Sequence, residues 1–162
     1  MIGLNGIKQL IPHRYPMLLL DKVIESGPAS VLAVKAVTAS EFWYGSAEEN
    51  ADCSYPWALL LESWCQAAGV LVCLSRPSAD VLTSAVPLFG AVSGVRFGKP
   101  AGPGDLLEHR VRLLRATSSA AVVEGECATG GETLLEVVRA VVAFRPAQTL
   151  TTRLGQQEDH HD

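Results

Sequence analysis

The stretch WALLLESWCQAAGVLVCL, residues 57–74, decides how this chain folds. Drawn as a helix, it is apolar around nearly its whole circumference from Leu59 to Leu74, so both of its sides must be buried. Pro56 stands at its start, where a missing N–H costs nothing. The window is long enough to tempt a membrane reading. It holds Glu62, Ser63 and Gln66, however, and the rest of the chain reads as strands. The expectation is therefore the buried helix of a soluble protein, with no membrane partner. Glu62 and Gln66 are four residues apart and share one face. A carboxylate on such a helix is costly to bury unpaired, so a partner for Glu62 has to be found.

Upstream, residues 3–10 suit a short helical lead-in, and IPHRYP (11–16) is stiffened by two prolines. MLLLDKVIES (17–26) and SVLAVKAVTA (30–39) are β-rich runs separated by the turn signal GPA, which predicts an antiparallel hairpin. A polar loop then carries Glu41, Glu48, Glu49 and Asp52, and no histidine. Downstream, SRPSAD (75–80) ends the helix. The runs 88–97, 106–117, 120–129 and 133–144 read as strands, the last two joined by a GG turn at 130–131. Residues 1–145 make one domain, and 146–162 a polar tail. Strand, strand, buried helix, then more strands is an α+β pattern: a curved antiparallel sheet around one long helix.

Composition narrows the function. The chain is 48% hydrophobic but only 6% aromatic, so its core must be mainly Val, Leu and Ala. A net charge of -4 and a pI near 5.5 argue against nucleic acid. The four cysteines show no CxxC spacing, and no charged-then-apolar leader pattern stands at the N-terminus. These features predict reduced thiols, a cytoplasmic protein and no metal site. The tail EDHHD is read as solvated and not as a metal ligand set.

Three segments carry a resemblance. LIPHRYPMLLLDKVIE, YPWALLLESWCQAAGVL and VRFGKPAGPGDLLEHRVRLL occur in the same order as the motifs of the FabZ-type hydroxyacyl-acyl-carrier-protein dehydratases. The likeness covers about residues 7–144 and implies the hot-dog fold. It implies that Glu62 is the catalytic glutamate, that Gln66 is the glutamine following it on the helix, and that Arg96 and Phe97 lie on the strand lining the acyl tunnel. It also implies a structural role for His13 and Arg14. Glu62 is accordingly expected to be catalytic, with Tyr55, Trp57, Gln66, Phe89 and Phe97 at the substrate. No cofactor is expected.

One motif departs. The family's catalytic histidine belongs to G-H-F-P; here Gly45 is followed by Ser46, and the segment to Pro56 is rewritten. The glycine that follows the helix-start proline has become Trp57, whose indole narrows the site. Dehydrating a 3-hydroxyacyl thioester needs a base for the α-proton, donors for the enolate oxygen and an acid for the departing hydroxyl. The family pattern builds each site across a dimer, with histidine from one protomer and glutamate from the other. Of the four histidines, His13, His109, His160 and His161, none replaces the missing one by sequence position. The expectation is a dehydratase-like subunit acting on acyl-carrier-protein-bound 3-hydroxyacyl substrates in fatty-acid or polyketide synthesis. A homologous subunit supplies the histidine to a heterodimer, a homodimer being the other association weighed. Two alternatives stand beside it. One is a self-sufficient hot-dog thioesterase or dehydratase using Asp52 or Glu62. Asp52 as a substitute base and Cys53 as a nucleophile both lie in a polar loop without a visible activating partner. The other is a non-catalytic acyl-binding or stabilising subunit.

Overall fold

The computed structural model describes residues 1–44, 52–75 and 86–145. Helix α1 (Leu4–Leu10) leads into strands β1 (Lys22–Ser26) and β2 (Ser30–Ala36), followed by a short 3-10 turn at Phe42–Tyr44. Helix α2 spans Trp57–Leu74, and strands β3 (Val86–Phe97), β4 (Leu106–Ala116), β5 (Ala120–Thr129) and β6 (Glu132–Arg145) complete the fold. The strands form one antiparallel sheet in the order β1-β2-β4-β5-β6-β3. This is the α+β architecture the sequence pattern predicts and the hot-dog fold the resemblance implies. The loop around Gly45 and Ser46, most of the SRPSAD segment and the tail with His160 and His161 lie outside the described residues.

Alternation decides which face of the sheet meets the helix. On β4, Leu107, His109 and Val111 are buried, while Glu108, Arg110 and Arg112 point the other way. Helix α2 lies on the buried face, and every residue from Ser63 to Cys73 is buried. Trp64 anchors it: the indole is fully enclosed, and Nε1 donates to the Arg110 carbonyl at 3.4 Å. Burial of side chains this size contributes about 1.5–3 kcal/mol each. Gly125 brings β4 and β5 close together, since a Cβ there would stand 2.0 Å from the Arg110 carbonyl oxygen. The ladder between β5 and β6 shifts register beside it, between Val123 and Gly125, which bends the sheet.

One expected strand is shorter than predicted. MLLL does not belong to β1, which begins only at Lys22. The backbone of Met17 and Leu19 is taken up by the Gln66 side chain, and that of Met17 and Leu18 by the Arg14 carbonyl. Those groups never reach a strand partner. Leu19 and Leu20 still bury their side chains in the core.

The two sheet edges differ. β1 is short and is covered by the N-terminus: Ile2 and Val23 exchange backbone hydrogen bonds at 2.9 Å in both directions. β3 is 12 residues long and pairs only with β6 among the described residues. Its Leu88, Phe89 and Phe97 are each exposed by more than a third.

Candidate active site

Two anchors carry the N-terminal motif across α2. Ile11 is buried against the helix at Gly69. Six residues on, Gln66 grips the chain, its Nε2 donating to the Met17 carbonyl at 2.7 Å and its Oε1 accepting from the Leu19 N–H at 2.9 Å. Between them, the Arg14 guanidinium donates to the carbonyls of Lys8, Ile11 and His13. The result sets the His13 ring over Glu62, with Nε2 3.2 Å from Glu62 Oε1. Gln66 Nε2 donates to the same oxygen at 2.9 Å. Glu62 Oε2 makes no hydrogen bond among the described residues.

Glu62 is about one-third exposed, at 35%. It opens on a cavity of about 180 Å3 whose lining includes His13, Cys65, Gln66, Leu88 and Phe89. The His13 hydrogen bond, helped by that from Gln66, holds the carboxyl below its ordinary range against the opposing effect of burial. Burial, reinforced by the Glu62 charge, pushes the Cys65 thiol up to about 12, so it stays neutral. The cavity thus joins one poised carboxylate to a mainly apolar slot.

The other expected site residues divide. Gln66 and Phe89 line the cavity. Trp57 and Phe97 pack on each other with tilted rings, centroids 5.0 Å apart, beside the start of α2, both more than a third exposed and neither in the cavity wall. Tyr55 is buried in the core against Trp43, its hydroxyl unbonded among the described residues. Burial drives that phenol's pKa far up. Asp52 is exposed and turned onto Ser54, accepting from its N–H at 2.9 Å and its hydroxyl at 2.6 Å. Those bonds hold its carboxyl below the ordinary range, which weakens it as a base. Cys53 is exposed in the same loop. His13, taken from its position as a satisfied structural residue, touches Glu62 instead, and its Nδ1 is buried without a hydrogen bond among the described residues. His109 is fully buried on β4.

A wider groove of about 830 Å3 crosses the sheet on the other face. Its Arg96, Arg110 and Arg112 are paired with Glu136, Glu108 and Glu124. That satisfied charge pattern suits a solvated face, which leaves the smaller cavity at Glu62 as the candidate site.

Residues 11–138 match the model of the FabA-like domain family. The chain belongs to that family. Relatives that align over most of the chain agree with that match. It is 36% identical over 123 residues to the 3-hydroxyacyl-acyl-carrier-protein dehydratase FabZ of Pseudothermotoga lettingae, covering 76% of this chain and 83% of that protein. It is 35% identical over 133 residues to FabZ of Streptococcus pneumoniae, covering 82% and 91%. Among solved structures it resembles a chain of the dehydratase heterocomplex ApeI:P from Xenorhabdus doucetiae, with a TM-score of 0.75, 22% identity, and 93% and 97% of the two chains covered. A hot-dog-like protein from Thermanaerovibrio acidaminovorans matches with a TM-score of 0.62 at 16% identity, covering 82% and 92%. These last two likenesses bear on the fold alone.

Proposed function

We propose that this FabA-like chain is a cytoplasmic subunit of a dehydratase acting on 3-hydroxyacyl groups carried by acyl carrier protein. Glu62 acts at the substrate hydroxyl, and a homologous partner contributes the histidine base. The observation that carries this reading is Glu62 itself: a helix carboxylate with one oxygen held and the other open, facing an apolar slot of about 180 Å3. In the reaction the α C–H and the C3–O bonds break, the double bond forms and water leaves. Glu62 rests as a carboxylate and receives the 3-hydroxyl as an acceptor. A docked partner and acyl chain dry the cavity, and drying disfavours the charged form, so Glu62 takes up a proton from solvent as the site closes. It gives that proton to the departing hydroxyl, which leaves as water, while the partner's histidine base takes the α-proton; that proton then passes back to Glu62 or to solvent and resets both groups. Among the described residues the N-terminus of α2 has no side-chain cap, which leaves N–H groups of its first turn for the enolate oxygen. The fold neighbour from the ApeI:P dehydratase heterocomplex is a precedent for unlike chains assembled together, and the FabZ relatives are named for the same substrate class. Polyketide or fatty-acid synthesis is the setting that fits the substrate class.

The isolated chain is expected to be nearly inert toward 3-hydroxyacyl carrier-protein substrates. Loss of one acid or base group removes about 10²–10⁴ of the rate. Absorbance of the conjugated enoyl product reads this directly. Robust turnover by the chain alone, lost in Asp52→Ala, supports the self-sufficient reading instead.

The association edge is β3. A long strand with three exposed large apolar side chains and no second strand partner among the described residues is a template for another chain, whereas β1 is covered by Ile2. At least a dimer is expected by light scattering at micromolar concentration. A monomer there contradicts the paired site.

A further inference from the structure

We infer that His13 is the positioning residue of Glu62, holding Oε1 so that Oε2 is the oxygen presented to substrate. This deepens the proposed function and rests on its reading of Glu62. His13 Nε2 lies 3.2 Å from Oε1, and Gln66 donates to the same atom at 2.9 Å. Two donors on one oxygen fix the carboxylate plane and leave its other oxygen unclaimed.

The surroundings of His13 are arranged for this contact. The loop is tied to α2 on both sides of it, by Ile11 at Gly69 and by Gln66 at Met17 and Leu19. Arg14 fastens the backbone between them through three carbonyls, including that of His13 itself. The ring, by contrast, is poorly satisfied as a packing element. Its Nδ1 is buried and makes no hydrogen bond among the described residues. An unbonded buried polar atom costs free energy, and an apolar side chain fills the same space without that cost. Among the described residues, Glu62 is what a polar ring gains here. The buried Nδ1 is also withheld from substrate, so His13 acts through Glu62 and not on the reacting atoms. Cys65, the other titratable side chain in the cavity wall, stays a neutral thiol and adds no charge to the pair.

The test compares His13→Phe, which keeps a ring and loses the donor, with His13→Gln, which returns an N–H at similar reach. The first readout is the titration of the Glu62 carboxyl by 13C NMR in the isolated chain, with Glu62→Gln assigning the resonance. His13→Phe is expected to raise the midpoint, and His13→Gln to restore most of the difference. The second readout is turnover of 3-hydroxybutyryl-acyl-carrier protein by the chain paired with a His-bearing homologue. There His13→Phe is expected to lower kcat by about 10²-fold, the cost of a misplaced reacting group, with KM little changed. His13→Gln is expected to recover most of it. An unchanged midpoint in His13→Phe, or equal kcat losses in both variants, overturns the inference. If His13→Phe fails to fold, His13→Met supplies the donor-free comparison. If Glu62→Gln leaves turnover intact, the proposed function fails, while the carboxyl titration still decides whether His13 holds Glu62.

Discussion

Glu62→Gln, made in the subunit paired with its His-bearing homologue, is expected to lower dehydration by about 10²–10⁴ while the complex still assembles. The substitution is nearly isosteric. The new amide oxygen can still accept from His13 and Gln66, which now donate to Oε1, so the local geometry survives. What disappears is the group able to take or give a proton at the substrate hydroxyl. Steady-state turnover and gel filtration of the same preparation check the two halves together. Full activity in an intact complex makes this subunit a scaffold and gives the function to the partner's own glutamate.

Stability is expected to fall in mild acid because of a different residue. His109 faces the core from β4, fully buried, with neither ring nitrogen hydrogen-bonded among the described residues. Burial, with the positive charge of Lys35 nearby, depresses its pKa from 6.5 to about 3. Between those values the unfolded chain binds a proton that the folded chain refuses. Stability is therefore complete above pH 6.5 and declines as pH falls toward 3, by about 1.4 kcal/mol for each pH unit in that window. Over the whole window the loss is on the order of 5 kcal/mol, comparable to the net stability of a small domain. Glu62 also has a depressed pKa, but its contribution is lost only as pH drops below the ordinary carboxylate value of 4.5. Urea unfolding between pH 7 and 5 lies above the Glu62 window, and comparison with His109→Leu reads the His109 share. His109→Leu is expected to flatten the slope. A flat wild-type profile in that range, or an unchanged slope in the variant, contradicts the assignment.

Much of this fold is readable from local pattern. Helix α2 begins and ends where Pro56 and the Ser75 segment say it does, because an all-round apolar run has one way to bury itself. The GG turn at 130–131 is equally local: both glycines take positive φ, as a two-residue hairpin requires. MLLL misleads because its β-rich composition is overridden by one side chain, Gln66, which takes the hydrogen bonds a strand needs. Glu62 and Gln66 are legible as a pair from their spacing. His13 is not, since its contact with Glu62 depends on Ile11 and Gln66 holding a loop that is distant in sequence. The signal was present in weaker form: a histidine between two prolines, in a stiff segment directly after a helix that packs on α2. Tyr55 shows the converse. The resemblance places it at the substrate, but the side chain turns into the core beside Trp43.

The central claim is that the working site joins Glu62 of this chain to a histidine of another. The most direct test exchanges the lesion between subunits. In one complex the His-bearing homologue carries Gln in place of its own helix glutamate; in the other, this chain carries Glu62→Gln. Turnover of a 3-hydroxyacyl carrier-protein substrate is measured for both. Retained activity in the first and a loss of about 10²–10⁴ in the second is the predicted result. Loss in the first with retention in the second places the chemistry wholly within the partner and contradicts the account.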